Sequence, residues 1–145
     1  MKDARLSALK ALFEATDKGQ FDQIPSFFTP SCIWTVRPGA VAQFLPNEGK
    51  LSVEEHVGVL MMTKRDMLAE PKGLEIHKVI HGANSLTAHV TVHGITRDHH
   101  PYDCECVLML EYEHGTTKIS SGMELLDSAY VGAHFARLNA PAEEK

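Results

Sequence analysis

The chain has 145 residues, 43% hydrophobic and 23% charged, which fits one globular domain with enough material for a real core. A formal net charge of -5 with no basic cluster argues against a nucleic-acid partner, and no apolar run is long enough to cross a membrane. Three cysteines, Cys32, Cys104 and Cys106, make no disulfide framework, and the opening MKDARLSALKALF holds neither an unbroken apolar stretch nor a cleavage site. The expectation is a cytoplasmic protein without a signal peptide.

Residues 4–17 read as an amphipathic helix, with Leu6, Leu9, Leu12 and Phe13 on its apolar stripe and Gly19 just past its end. Phe21 to Phe28 is a second short helix, tolerating Pro25 early and broken by Thr29-Pro30. Cys32 to Arg37 is β-branched and aromatic, a strand stopped by Pro38-Gly39. Gly39 to Lys50 contains two more breakers, Pro46 and Gly49, and reads as a mobile, lid-like loop. Ser52 with Glu55 forms a capping box that opens a helix from Val53 to about Glu70, stopped by Pro71 and Gly73. Leu74 to His81 and Leu86 to Ile95 make a hairpin around Gly82-Ala83-Asn84-Ser85. Arg97 to Pro101 is a polar loop.

The long hairpin from Asp103 to Leu126 is the most informative stretch. Its first strand alternates, with Cys104, Cys106, Leu108 and Leu110 on one face and Asp103, Glu105 and Glu111 on the other. The turn is Glu113-His114-Gly115-Thr116, and Lys118 to Leu126 returns with Ser120, Gly122, Glu124 and Leu126 sharing a face. On that face two small residues leave room beside an acid. Ser128 to Leu138 reads as a short helix, and residues 139–145 as a frayed tail.

Helices first, then four long antiparallel strands, define an α+β layer arrangement: a single domain over 1–145, with a curved mixed sheet wrapped around three helices and a cone-shaped cavity between them. The cavity wall is expected to draw on Trp34 or Thr35, Cys106, Leu108, Gly122 and Leu126, together with the Val53–Glu70 helix.

Nine histidines invite a metal reading, but His77/His81 and His89/His93 are four apart on strands, which separates their side chains by about 13 Å. No metal is expected. Two residues remain as candidates for chemistry. Arg37, at a strand end, offers a permanently charged fork of donors suited to an oxyanion. Glu124, if buried, could exchange protons near neutral pH. Together they are a minimal kit for moving a proton beside a carbonyl; the competing structural reading is a plain salt bridge or two solvated side chains.

Four segments carry a family likeness: Asp17-Lys-Gly-Gln-Phe-Asp, Cys32-Ile-Trp-Thr-Val-Arg-Pro, Gly115-Thr-Thr-Lys-Ile and Gly122-Met-Glu-Leu-Leu-Asp-Ser. With the element order, over roughly Leu6 to Arg137, the chain resembles the NTF2-like superfamily, in particular its SnoaL-like branch. Departures from two relatives narrow the choice. Where ketosteroid isomerases place a basic carboxylate before proline this chain has Arg37, and Leu12 replaces their oxyanion-hole tyrosine. Limonene epoxide hydrolases carry an arginine and an aspartate on the last strand, where Met123 and Glu124 stand.

Tyr102-Asp-Cys-Glu105 and Glu124-Leu-Leu-Asp127-Ser128 are similar to segments of fungal secondary-metabolite isomerases and cyclases, including indole-alkaloid semipinacolase-like and meroterpenoid isomerase-like proteins. The resemblance implies a cofactor-free isomerase or cyclase of indole alkaloids, meroterpenoids or polyketides. Arg37 and Glu124 become its working pair, and Tyr102 a substrate-binding donor. Two rival readings stand beside it. One is a non-catalytic ligand-binding domain. The other is a dehydratase or hydrolase using a histidine–carboxylate pair, with His77 or His89 as the histidine. An apolar outer sheet face around Val107 and Met109 leads us to expect a homodimer.

Overall fold

A computed structural model of the chain describes residues 1–141. The expected frayed tail falls partly on residues 142–145, outside the described residues; of its first part, Asn139 still bonds back to Phe135 as the cap of the final helix.

Helix α1 (Lys2–Asp17) buries Leu9, Leu12 and Ala15 along one stripe. Near its start Arg5 is also buried, at 3% exposure. Its guanidinium donates to the carbonyls of Ala83, Glu113 and Thr116 and to Asn84 Oδ1, and lies over the Tyr112 ring at 4.9 Å. One cation thus satisfies the turns of two hairpins and fastens the helix to them.

Phe21–Phe27 is a 3₁₀ rather than an α-helix, consistent with Pro25 inside it. Strand β1 (Phe28–Arg37) begins four residues earlier than expected and runs through Thr29-Pro30. The ladder accommodates proline by a register shift between Phe28 and Ile33.

The segment after β1 is not a lid. It folds into a short helix α2 (Gly39–Ala42), a turn at Pro46–Gly49 and a two-residue strand β2 (Lys50–Leu51). Val41, Ala42 and Leu51 are buried, so its apolar side chains anchor it to the body of the protein. Helix α3 (Val53–Asp66) starts at the expected capping box: Ser52 accepts from the Glu55 amide and Glu55 accepts from the Ser52 amide.

Helix α3 ends four residues sooner than the sequence suggested, because Pro71 and Gly73 belong to strand β3 (Glu70–His81), where register shifts absorb them. The meander continues through β4 (Ser85–Ile95), β5 (Pro101–Tyr112) and β6 (Ile119–Leu126), followed by helix α4 (Ser128–Leu138).

The six strands form one sheet in the order β2-β1-β6-β5-β4-β3. All neighbours are antiparallel except β1 and β6, which run parallel and pair Trp34 with Gly122 and Val36 with Glu124. This is the mixed α+β arrangement expected from the sequence. The inner face carries Leu86, Ala88, Val90, Cys106, Leu108 and Leu110, all buried.

The outer face holds two different surfaces. Over β3, β4 and β5, His93 is clasped between Glu75 and Asp103, His89 meets Glu105, and the rings of His77 and His89 lie 4.7 Å apart with planes tilted by 41°. Over β1, β5 and β6 three large apolar side chains stand out among polar ones, Ile33, Met109 and Leu125, exposed by 44%, 39% and 43%. Among the described residues no helix is long and apolar enough to cross a membrane.

Candidate active site

Between the inner sheet face and the helices lies a cavity of about 160 Å³. Its wall is mostly apolar. α1 supplies Phe13, α3 supplies Val59, Leu60 and Met62, and α4 supplies Val131 and Phe135. The sheet adds Val36, Val92, Tyr102, Cys104, Glu124 and Leu126. A concave, apolar space with a few convergent polar groups is the usual form of a small-molecule site.

Glu124 reaches this wall because β6 alternates and its even positions face inward, as the sequence suggested. Glu124 is half-buried and lines the cavity. Burial raises its pKa above the ordinary carboxylate value, partly countered by a hydrogen bond that Trp34 Nε1 donates to Oε1 at 3.3 Å. The carboxyl group therefore holds its proton to higher pH than an exposed glutamate, as a general acid or base at neutral pH requires.

Trp34 stands behind the wall rather than on it. It is 3% exposed, meets Phe28 edge-on and stacks on His56 with ring centroids 4.6 Å apart and planes 19° from parallel. Its indole fills the space above Gly122, where an added Cβ would lie 2.5 Å from Trp34 Cε3. The room read from the sequence beside Glu124 is thus occupied by tryptophan. Cys106 and Leu108 share the inner face but belong to the packed core, outside the cavity lining. Of the six residues expected to bind substrate, Tyr102 and Leu126 line the cavity, while Trp34, Cys106, Leu108 and Gly122 do not.

Arg37 is also elsewhere. It follows Val36 on β1 and so takes the opposite face, pairing with Leu125. Its Nη1 donates to the carbonyls of Val36 and Glu48, and it is absent from the cavity wall. The structure does not bring Arg37 and Glu124 together. His77 and His89 lie on the outer face as well. Two further residues at family-like positions have structural contacts: Asp127 caps α4 through the Tyr130 amide, and Glu105 meets His89 outside.

The histidine that does reach the cavity is His56, which the sequence reading passed over. It sits one turn into α3 and is 6% exposed. Burial lowers its pKa to about 4, and the positive end of the helix acts in the same direction. At neutral pH it is an uncharged imidazole. Its Nδ1 is enclosed without a hydrogen-bond partner. A stranded N–H is costlier than a stranded lone pair, which favours the tautomer with the proton on Nε2. A signal was present in the sequence: once Ser52 sets the start of the helix, His56 shares a stripe with Val59, Leu60 and Thr63.

Tyr102 is 5% exposed, packed against Tyr130 and His134 of α4. Burial first, then the neighbouring Cys104 and Glu124, push its phenol pKa up, so it remains a neutral donor.

No protein-family model matches the chain, and no curated protein matches it in sequence. Solved structures match it in shape. AusH from Aspergillus nidulans is 18% identical with a TM-score of 0.72, covering 96% of this chain and 99% of its own. IdmH from Streptomyces antibioticus, a proposed polyketide cyclase, is 13% identical with a TM-score of 0.72, covering 91% and 98%. An NTF2-like protein of unknown function from Burkholderia pseudomallei is 16% identical with a TM-score of 0.70, covering 95% and 98%. These likenesses run over nearly the whole of each chain. The protein has the NTF2-like fold, a scaffold on which a proposed cyclase is also built.

Proposed function

We propose that this chain is a cofactor-independent isomerase or cyclase that moves a proton on a bulky, mostly apolar secondary metabolite of the indole-alkaloid, meroterpenoid or polyketide kind. The observation that carries this reading is Glu124: an enclosed carboxyl group on the wall of an apolar cavity, its pKa raised by burial and its orientation held by Trp34. Glu124 takes a proton from carbon or oxygen at one site of the substrate and returns it at another. Charge that develops on a substrate oxygen meets the Nε2–H of neutral His56, the part that the sequence assigned to Arg37. In a site without bulk water such a donor is worth about 3 kcal/mol at the transition state. Tyr102 and Leu126 position the substrate. The chemistry uses only these side chains.

The test is incubation in D₂O with metabolite pools of the three classes, followed by mass spectrometry. The expected product has the substrate's atoms, a changed retention time and solvent deuterium at the migrated position, and Glu124→Gln abolishes its formation. Absence of any conversion that depends on Glu124 would leave the cavity as a binding site alone.

A second reading is favoured by one observation. A histidine and a carboxyl group do share the cavity, though as His56 with Glu124 rather than His77 or His89, and that pairing also suits a dehydratase. Loss of one water from the product's mass would identify it. The apolar outer positions Ile33, Met109 and Leu125 further support a homodimer formed sheet to sheet.

A further inference from the structure

The cavity has a second polar patch that proton transfer at Glu124 does not use. Asp17, the last residue of α1, and Lys64, in the last turn of α3, both line the wall. Both are half-buried. Lys64 Nζ donates to the Asp17 backbone carbonyl at 2.7 Å. That uses one of the three donors of an ammonium group, and Lys64 forms no ion pair among the described residues. Burial raises the pKa of the Asp17 carboxyl group, outweighing the nearby Lys64 charge and the Gly73 amide. Thr16 and Thr63 beside them spend their hydroxyls on their own helices. What is left facing the cavity is a cation with spare donors next to a carboxyl group with spare acceptor capacity.

Position along α3 separates this patch from the reacting end. His56 and Lys64 are eight residues apart on one helix, which puts them about 12 Å apart along its axis. We infer that Lys64 and Asp17 form a second subsite that takes a hydroxyl group, so that the ligand is a two-ended molecule: apolar in the middle, with one oxygen at Glu124 and His56 and a hydroxyl at the far end.

The choice of a hydroxyl follows from the pairing. One hydroxyl oxygen accepts from Lys64 while its hydrogen is donated to Asp17, satisfying both. A ketone would leave Asp17 without a donor. A carboxylate would meet the Asp17 charge, and an ammonium group the Lys64 charge. The inference rests on reading the cavity as the ligand site, but not on Glu124 moving a proton.

The test reads binding, not turnover. Trp34 is the chain's one tryptophan and touches both Glu124 and His56, so its emission reports on the cavity. The probes are α,ω-diols from hexanediol to dodecanediol, with the monoalcohol, fatty acid and alkylamine of each length. In the wild type the best-fitting diol is expected to bind roughly tenfold tighter than its monoalcohol, the scale of one good hydrogen-bonding group. The acid and the amine are expected to bind more weakly than the diol.

Lys64→Met, which keeps the length of the lysine stem, and Asp17→Asn should each remove the diol's advantage and leave the monoalcohol within twofold. If Lys64→Met fails to fold, Lys64→Gln serves instead. Equal binding of diol and monoalcohol at every length, or a diol preference that survives both substitutions, overturns the subsite. Failure of every probe to bind overturns it together with the reading of the cavity as a ligand site. A Glu124→Gln variant with full turnover would instead sink the acid–base account and leave this subsite standing.

Discussion

Trp34 Nε1 donates to Glu124 Oε1 at 3.3 Å, joining two side chains 90 residues apart in sequence across the parallel pair β1 and β6. The contact favours the ionised carboxylate while burial favours the acid, and burial dominates. Glu124→Gln keeps the shape and can still accept from Trp34. Turnover should fall about 10²-fold or more, the scale of general acid–base catalysis, with little change in affinity. The same variant has a stability signature. A carboxyl group whose folded pKa is raised contributes stability that is present below its unfolded pKa and lost as pH rises through the folded value. Glu124→Gln should therefore melt like wild type in acid and higher than wild type at neutral pH and above. A variant less stable than wild type at every pH would mean that the Trp34 contact outweighs burial.

His56 has the opposite sign. Its folded pKa of about 4 lies below the ordinary imidazole value of 6.5, so its contribution is present above 6.5 and lost as pH falls towards 4. The loss amounts to roughly 3 kcal/mol when complete. His56→Phe keeps the stack on Trp34 and removes the titration. Its melting temperature should lose the wild type's decline across that window, and its turnover should drop for want of the Nε2 donor. An unchanged acid limb would show that His56 is not the group responsible.

Gly122→Ala tests the close approach of Trp34. The new Cβ would sit 2.5 Å from Cε3 and 2.7 Å from Cζ3 of an indole that is itself buried. Overpacking of this kind typically costs about 1–3 kcal/mol. The variant should unfold at lower denaturant concentration with a shifted tryptophan emission. A neutral result would mean that the indole moves freely.

Arg37→Ala removes donors to the Val36 and Glu48 carbonyls on the side of β1 away from the cavity. The expected cost is about 1 kcal/mol of stability, with turnover changed far less than by Glu124→Gln. A loss of turnover as large as that of Glu124→Gln, with stability intact, would return Arg37 to the reacting centre.

The exposed apolar positions on the outer face predict a dimer in sedimentation at micromolar concentration. Leu125→Lys, which adds a charge between its cross-strand partners Val107 and Arg37 on that face, should give a monomer with the cavity unaltered. A wild-type monomer would remove the sheet-to-sheet interface from consideration.

Much of this was legible in the chain. Strict alternation through Cys104, Cys106, Leu108 and Leu110 set one face of β5 inward, and all four are buried. The Ser52–Glu55 capping box located the start of α3. Proline misled twice, in the same direction. Thr29-Pro30 and Pro71 read as breakers, yet a register shift in the ladder lets each lie within a strand. Arg37 and Trp34 were harder, because period-two alternation says which residues share a face but not which face looks inward. Gly122 showed space, and nothing local could say that a side chain from a parallel strand 88 positions earlier would fill it. His56 was within reach, since its helical stripe was known.

The strand order has a consequence for how the protein comes off the ribosome. β3, β4 and β5 pair with sequence neighbours and can zip together as they emerge, whereas β1 has only the two-residue β2 for company until β6 is made. For most of synthesis β1 is therefore an almost bare edge carrying Trp34 and Val36, the kind of surface that invites wrong pairings and chaperone capture. β6 slots between β1 and β5 as the penultimate element, and only then do Trp34 and Glu124 meet. Nascent chains stalled before Ile119 should lack the cavity altogether, so that competence to bind a ligand arrives abruptly, near the end of translation.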